Sequence, residues 1–345
     1  MKVLIIGNGG RESAVAKKLA QDKRISQLYF AKGNATTETL GKNLPYDDIA
    51  ELRDFAIKEQ IDFTFVGPEL PLVKGIVDEF QKHDLKIFGP TKRAADLEGS
   101  KAFSKKFMVE NGVRTAKAEI FDSYVLAKEY VQTQKYPLVV KASGLAAGKG
   151  VVICEDVEQA EATLRQFMID KIFGDAGIKV VIEQFLKGFE ASVIAFWNGK
   201  QAFSCVSAKD YKKIGNGDTG LNTGGMGTVA PSPEFTAEHF SDFEKNILEP
   251  TVKDCLEGKE INLSFADKKA VCLVMTSGGY PGNYETGYEI TGAEIEHGKI
   301  VTSGGRVLNI VATGDTYQEA RKKVYQDALT LRFDYAYYRE DIGDF

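Results

Sequence analysis

The chain has 345 residues, 43% of them hydrophobic and 27% charged, with a formal net charge of −5. Its length predicts two to four domains, and its composition predicts soluble domains with full cores. The acidic balance argues against a general nucleic-acid binder, because a phosphate backbone needs a basic face, and no apolar run approaches the roughly 20 residues of a membrane helix.

The N-terminal MKVLIIGNGGRES reads as a short strand and a glycine turn. It lacks the apolar core and small-residue cleavage site of a secretory leader. Cys154, Cys205, Cys255 and Cys272 form no C-x-x-C pair. That fits reduced thiols in a cytoplasmic protein, not a disulfide framework or a zinc site. His83, His239 and His297 have no other His or Cys at ligand spacing, which disfavours histidine-base and zinc chemistry.

Taken in order, KVLIIG (2–7), QLYFAKG (27–33), IDFTFVGPE (61–69) and LKIFGP (85–90) read as strands, with helices over 11–22 and from 69 to about His83. The alternation predicts a parallel sheet with crossover helices, a Rossmann-like N-terminal domain. Gly7–Glu12, Gly33-Asn34 and Gly67-Pro68-Glu69 fall at the carboxyl strand ends, where such sheets bind ligands. GNGGRE (7–12) departs from a dinucleotide fingerprint. Glu12 replaces its third glycine and would set a negative charge near a pyrophosphate, which disfavours a Rossmann dehydrogenase. The turn either holds a single phosphate or carboxylate at a helix N-terminus or is structural only.

A helix over 100–111 leads to strands YPLVVKAS (136–143) and KGVVICE (149–155), which flank SGLAAGKG (143–150). This is not a P-loop: Gly144 and Gly148 are one residue too close, Gly150 replaces Ser or Thr, and a strand follows. It reads as a glycine-rich flap over phosphates, with charge from Lys141 and Lys149, or as a hairpin with solvated lysines. After a helix over 157–169, the segments 179–188, 189–199 and 201–210 read as consecutive strands of one antiparallel sheet. In EQFLKGFE (183–190), Glu183 and Glu190 flank Phe185 and Leu186. Apolar groups suit a purine base and carboxylates suit ribose hydroxyls; a plain surface hairpin is the alternative. KDYKKIGNGDTGLNTGGMG (209–227) is a long polar loop whose NTGGMG offers open N–H groups to an anion. Asp210, Lys212 and Lys213 add charge at its start. A helix over 236–257, strands in KKAVCLVMTS and GGRVLNIVAT, and a helix over 317–329 complete an α/β and α+β multidomain chain.

The motifs GNGGRE, GNA, GPE, FGPTKRAADLEGSKAFSKKFM, VVKASGLAAGKGVV, IEQFLKGFEASV, KDYKK, NTGGMG, SGGYPG, TSGGRVL and YYREDIG run in order from Met1 nearly to the C-terminus. The chain in this respect resembles the phosphoribosylamine–glycine ligase family of ATP-grasp enzymes. The resemblance implies an ATP-grasp fold: a Rossmann-like domain over 1–100, an ATP-grasp domain over 101–255 with a flap subdomain at about 115–185, and a small β-rich C-terminal domain over 256–345. It implies ATP-dependent ligation of glycine to 5-phosphoribosylamine through glycyl phosphate, giving glycinamide ribonucleotide, ADP and phosphate in de novo purine biosynthesis. The implied protein is a cytoplasmic monomer or weak homodimer whose partners are these small molecules, not nucleic acid or membrane. By position, Lys101 and Lys141 would contact ATP phosphates, and Gly144 to Gly150 with Lys149 would form the flap. Lys141 and Lys149 would carry the catalytic charge. Glu183 and Leu186 would border adenine, and Glu190 the ribose. Gly9, Gly10 and Glu69 would face phosphoribosylamine. Asp210, Asn222, Thr223, Gly224 and Gly225 would hold substrates, and Arg306 would meet the substrate phosphate.

Three departures stand out. Ser13 replaces the family's His after GRE, and Lys209 replaces its Gln. The third is larger. The family's E-F-N-x-R-F-G-D-P-E motif, whose Glu and Asn hold Mg²⁺ (or Mn²⁺), is absent. ILEPTV (247–252) runs almost straight into KDCLEGKEINLSF (253–265), and a shorter gap falls around Thr291–Gly298. ATP and Mg²⁺ are therefore implied, but no metal ligand is identified. The loss is expected to slow phosphoryl transfer and to leave apolar surface and unpaired strand edges. Either the natural protein carries residues that this sequence lacks, or the chain is an impaired ATP-grasp homologue that binds nucleotide without turnover.

Overall fold

Short β-branched and aromatic runs build the first sheet. A computed structural model describes residues 1–146, 149–253, 265–292 and 299–345, which divide into two units, Met1–Ser104 and Lys105–Phe345. In the first unit, β1 (Lys2–Ile6), β2 (Gln27–Ala31), β3 (Lys42–Leu44), β4 (Phe63–Val66) and β5 (Ile87–Phe88) pair in parallel, in the order β3-β2-β1-β4-β5. The crossovers are α1 (Gly10–Leu19), α2 (Ala35–Glu38), α3 (Ile49–Lys58), α4 (Glu69–Lys74) and α5 (Ile76–Gln81), and α6 (Lys92–Gly99) follows β5. Val3, Leu4, Ile5 and Ile6 are all buried, as expected of a parallel strand covered on both faces. Strand order reverses about β1, so the turns after β1 and β4 lie where such sheets bind ligands.

Glu12 fills the space between those two turns. It is buried and accepts the Gly9 N–H at 2.7 Å, reaching back from the first turn of α1 to the N-cap backbone. A Cβ at Gly67 would stand 1.9 Å from Glu12 Oε1 and 2.8 Å from its Cγ. Gly67→Ala is therefore expected to cost about 1–3 kcal/mol of stability by overpacking. A chemical-denaturation midpoint unchanged from wild type would contradict this.

The boundary between the units falls within α7 (Lys101–Glu110). In the second unit, β6 (Ala118–Phe121), β7 (Leu138–Ala142), β8 (Val151–Cys154) and β9 (Val180–Gln184) form an antiparallel sheet in the order β6-β9-β7-β8. α8 (Tyr124–Val131) and α9 (Val157–Leu164) close its core, around Val131, Leu138, Val140, Leu164 and Ile182.

The three segments read as strands of one sheet fall into three sheets. β9 already has β6 on one side and β7 on the other, so neither edge is left for the next strand. β10 (Ala195–Trp197) and β11 (Ala202–Ser204) make a hairpin of their own, and β12 (Lys209–Asp210) enters a further sheet. β13 (Lys213–Gly215) and β14 (Thr219–Asn222) form another hairpin. β15 (Gly227–Ala230), then α10 (Ala237–Phe243) and α11 (Glu249–Val252), then β16 (Lys269–Thr276) follow. β17 (Glu289–Ile290) and β18 (Ile300–Val301) pair, and β19 (Arg306–Gly314) precedes α12 (Tyr317–Thr330). The sheet β12-β15-β16-β19 packs on α12 through Val229, Val271, Leu273, Ile310 and Val324. Among the described residues β19 pairs on one side only, with β16, and Val311 on it is exposed. The end of the helix read over 236–257, most of KDCLEGKEINLSF, His297 and most of the gap at Thr291–Gly298 lie outside the described residues.

Candidate functional site

The sheet β6-β9-β7-β8 and helix α7 bring two lysines onto one carboxylate. Glu183, on β9, is 11% exposed. Lys141, on the neighbouring β7, reaches its Oε2 at 2.5 Å. Lys105, on α7, reaches Oε1 at 2.9 Å. Burial alone would raise the Glu183 carboxyl, but the two ammonium groups outweigh it and hold the group below the usual carboxylate range. Lys105 went unseen in the sequence because Lys105-Lys106 on a helix reads as a solvated pair. The available signal was its spacing, four residues after Lys101 and so on the same helical face.

The glycine loop leaves the end of β7. Gly144 N–H donates to Ala176 O at 3.0 Å, and a Cβ there would meet Ala176 Cβ at 2.7 Å. Gly150 is buried, with its carbonyl accepting the Ala142 N–H at 2.8 Å. Lys149 is exposed. Gly148 lies outside the described residues. Leu186 and Phe189 are exposed past β9.

A second cluster forms around the long polar loop. Lys212 binds Asp210 and lies 3.8 Å from Glu190. Gly225 adopts φ +109°, and a Cβ there would sit 2.7 Å from Asp210 Oδ1, so only glycine fits. Its N–H donates to Thr223 Oγ1 at 3.0 Å, and Thr223 Oγ1 donates to Lys212 O at 2.9 Å. Gly224 N–H donates to Tyr280 OH at 3.0 Å, and Arg306 Nη1 donates to Gly224 O. Asp210, Thr223, Gly224, Gly225 and Arg306 thus converge, with Asn222 ending β14 beside them. Tyr280, 56 residues from Gly224 in the chain, was not foreseen. Lys209 pairs with Glu234 at 2.8 Å.

The C-terminal tail fixes this loop. Arg339 is 1% exposed. Its Nε and Nη2 donate to Asp341 at 2.7 and 2.6 Å, and its Nη1 donates to Asp218 Oδ1 at 2.7 Å and Lys213 O at 3.0 Å. The guanidinium lies 5.0 Å from the Tyr211 ring centroid. Asp341 also accepts the Gly217 N–H at 2.8 Å. The β13–β14 hairpin is held from beneath by YYREDIG.

In the first unit, Glu69 lines a cleft of about 340 Å³ with Arg11, Gly67, Leu72 and Pro90. Arg11 lies 3.6 Å from Glu69. Gly9 caps α1 and Gly10 begins it; neither lines that cleft, and the Gly9 N–H is committed to Glu12. Ser13 accepts from Asn34 Nδ2 at 2.9 Å and donates to Gly9 O at 3.2 Å, so it is tied into the turn. Lys101 opens α7. Among the described residues no three His, Cys, Asp or Glu side chains converge as a metal site. Glu183 and Asp210 are each engaged by lysine, and this donor set does not fit a protein-held Mg²⁺.

Comparison with known proteins identifies relatives along the whole chain. Residues 1–98 match the N domain of phosphoribosylglycinamide synthetase, 99–265 its ATP-grasp (A) domain and 270–345 its C domain. The phosphoribosylamine–glycine ligase of Clostridium acetobutylicum is 41% identical over 413 positions, covering 99% of each chain. That of Caldanaerobacter subterraneus subsp. tengcongensis is 39% identical over 414 positions, again covering 99% of each. Because this chain has 345 residues and the first alignment runs over 413 positions, dozens of those positions have no counterpart here. A crystal structure of phosphoribosylamine–glycine ligase from Thermotoga maritima superposes with a TM-score of 0.79 at 29% identity, over 99% of this chain and 100% of that one. The biotin carboxylase domain of Hydrogenobacter thermophilus 2-oxoglutarate carboxylase shares the fold, with a TM-score of 0.76 at 12% identity over 97% and 91%. The fold is ATP-grasp. None of these relatives favours binding without turnover.

Proposed function

The chain belongs to the phosphoribosylglycinamide synthetase family, and from that membership we propose that it is a carbon–nitrogen ligase joining glycine to 5-phosphoribosylamine with ATP. The observation that carries the reading is Lys141, an ammonium at the mouth of the glycine loop paired with Glu183. It can reach an anion entering under that loop.

In the proposed reaction a glycine carboxylate oxygen attacks the γ-phosphorus and ADP leaves. The amine of phosphoribosylamine then attacks the carbonyl carbon of glycyl phosphate. Inorganic phosphate leaves, the amine loses a proton and the amide forms. The protein's part is positioning and charge stabilisation. Lys141 and Lys149 offset charge on the phosphates, and Gly144 and Gly150 let backbone approach them. Leu186 offers apolar surface to adenine beside Glu183, and Glu190 accepts from ribose hydroxyls. Asp210, Asn222, Thr223, Gly224 and Gly225 hold the substrates. Arg306, exposed beside Gly224, takes the phosphate of phosphoribosylamine. Lys101 toward ATP, and Gly9, Gly10 and Glu69 toward phosphoribosylamine, are assigned by their positions in the family motifs.

The test is the initial rate of ADP formation with ATP and Mg²⁺, omitting each co-substrate in turn. ADP is expected only when glycine and phosphoribosylamine are both present. ADP formation indifferent to both would overturn the proposal.

A further inference from the structure

The two lysines on Glu183 are built differently. Lys105 is 6% exposed, and its ammonium also donates to Thr115 Oγ1 at 2.6 Å and Ala116 O at 3.1 Å. With Glu183 these three acceptors use every N–H it has. Lys141 is 27% exposed, and among the described residues its one side-chain partner is Glu183. One lysine is anchored on all sides; the other has donors to spare and a route to solvent.

We propose that Lys105 is a positioning residue for the nucleotide: it holds Glu183 in place as a standing counter-charge while Lys141 exchanges Glu183 for the phosphates of ATP. The proposal rests on the reading of Lys141 as a phosphate ligand. Its physical basis is the cost of a buried charge. If Lys141 were the sole partner, its departure would strand a carboxylate away from water, and binding would be penalised by that amount. Lys105 removes the penalty without competing for the ligand. Among the described residues the charged groups facing Glu183 are these two lysines, from α7 and β7; β6 presents Ala118 opposite it.

The test is calorimetric titration with MgADP in buffers of different ionisation heat, which counts protons exchanged on binding. In Lys105→Met, Glu183 must take up a proton as Lys141 leaves. Burial raises the pKa of an unpaired carboxylate, and each unit of rise costs about a factor of ten, so affinity at about pH 7 should fall by about tenfold or more. That affinity should weaken further as pH rises, with proton uptake above that of wild type. Should Lys105→Met fail to fold, Lys105→Met is compared with Lys105 intact in a Glu183→Gln background, where no buried carboxylate remains to strand. There the lysine substitution should change affinity by less than about twofold, because its effect runs through Glu183. A merely structural lysine would lower the unfolding temperature and leave proton uptake unmoved. Wild-type affinity and proton count in Lys105→Met would overturn the proposal, as would an undiminished loss in the Glu183→Gln background. Failure of the wild-type protein to bind MgADP would instead overturn the underlying nucleotide-site reading.

Discussion

Lys141→Met is expected to lower kcat/KM for ATP by about 10²–10³-fold, the usual cost of deleting one preorganised charge aimed at a reacting group. The same substitution should leave the fold nearly intact. Glu183 keeps Lys105 at 2.9 Å, and Lys141 is partly exposed, so no buried carboxylate is orphaned. Methionine keeps much of the aliphatic stem of the lysine. The effect should therefore appear in steady-state rates while the thermal unfolding midpoint stays within a few degrees of wild type. Rates within a factor of a few of wild type would remove Lys141 from the chemistry.

Arg339→Met should act in the opposite way, on stability first. The guanidinium is 1% exposed and serves Asp341, Asp218 and the Lys213 carbonyl at once. Breaking a buried ion pair from one side costs about 3–5 kcal/mol; here the lower end applies, because Asp218 is itself 60% exposed and regains water. Urea denaturation should show a lower midpoint at an unchanged slope. The difference between the two proteins should also depend on pH. Burial pushes the Asp341 carboxyl up, but Arg339 and the Gly217 N–H together hold it below its ordinary value. A depressed carboxyl adds stability above its unfolded value, about 3.9, and that stability is lost as pH falls through the folded value. Wild type and Arg339→Met should differ fully at about pH 7 and converge below about pH 4. A constant difference across that range would contradict the account.

The fold was legible wherever local pattern decides structure. KVLIIG is apolar at nearly every position, as a strand covered on both faces must be, and it is β1. β3 was not legible, because Lys42–Leu44 is too short to show a period. The segments after Lys179 misled because whether strands pair depends on which edges are free, and β9 has none. The same division runs through the candidate site. Lys141, Glu183, Asp210 and the Asn222–Gly225 stretch stand in recognisable motifs. Lys105, Tyr280 and Arg339 do not, because their meaning lies in partners far along the chain. Asp218 is 121 residues from Arg339, and Glu183 is 78 positions beyond Lys105.

The ligase reading turns on one covalent event, transfer of the γ-phosphoryl group to an oxygen of glycine. Glycine labelled with ¹⁸O in its carboxylate tests it directly. Incubated with ATP, Mg²⁺ and phosphoribosylamine, the protein should release inorganic phosphate carrying one labelled oxygen for each amide formed. Phosphate without label would mean that water, not glycine, receives the phosphoryl group, and the acyl-phosphate route would fall.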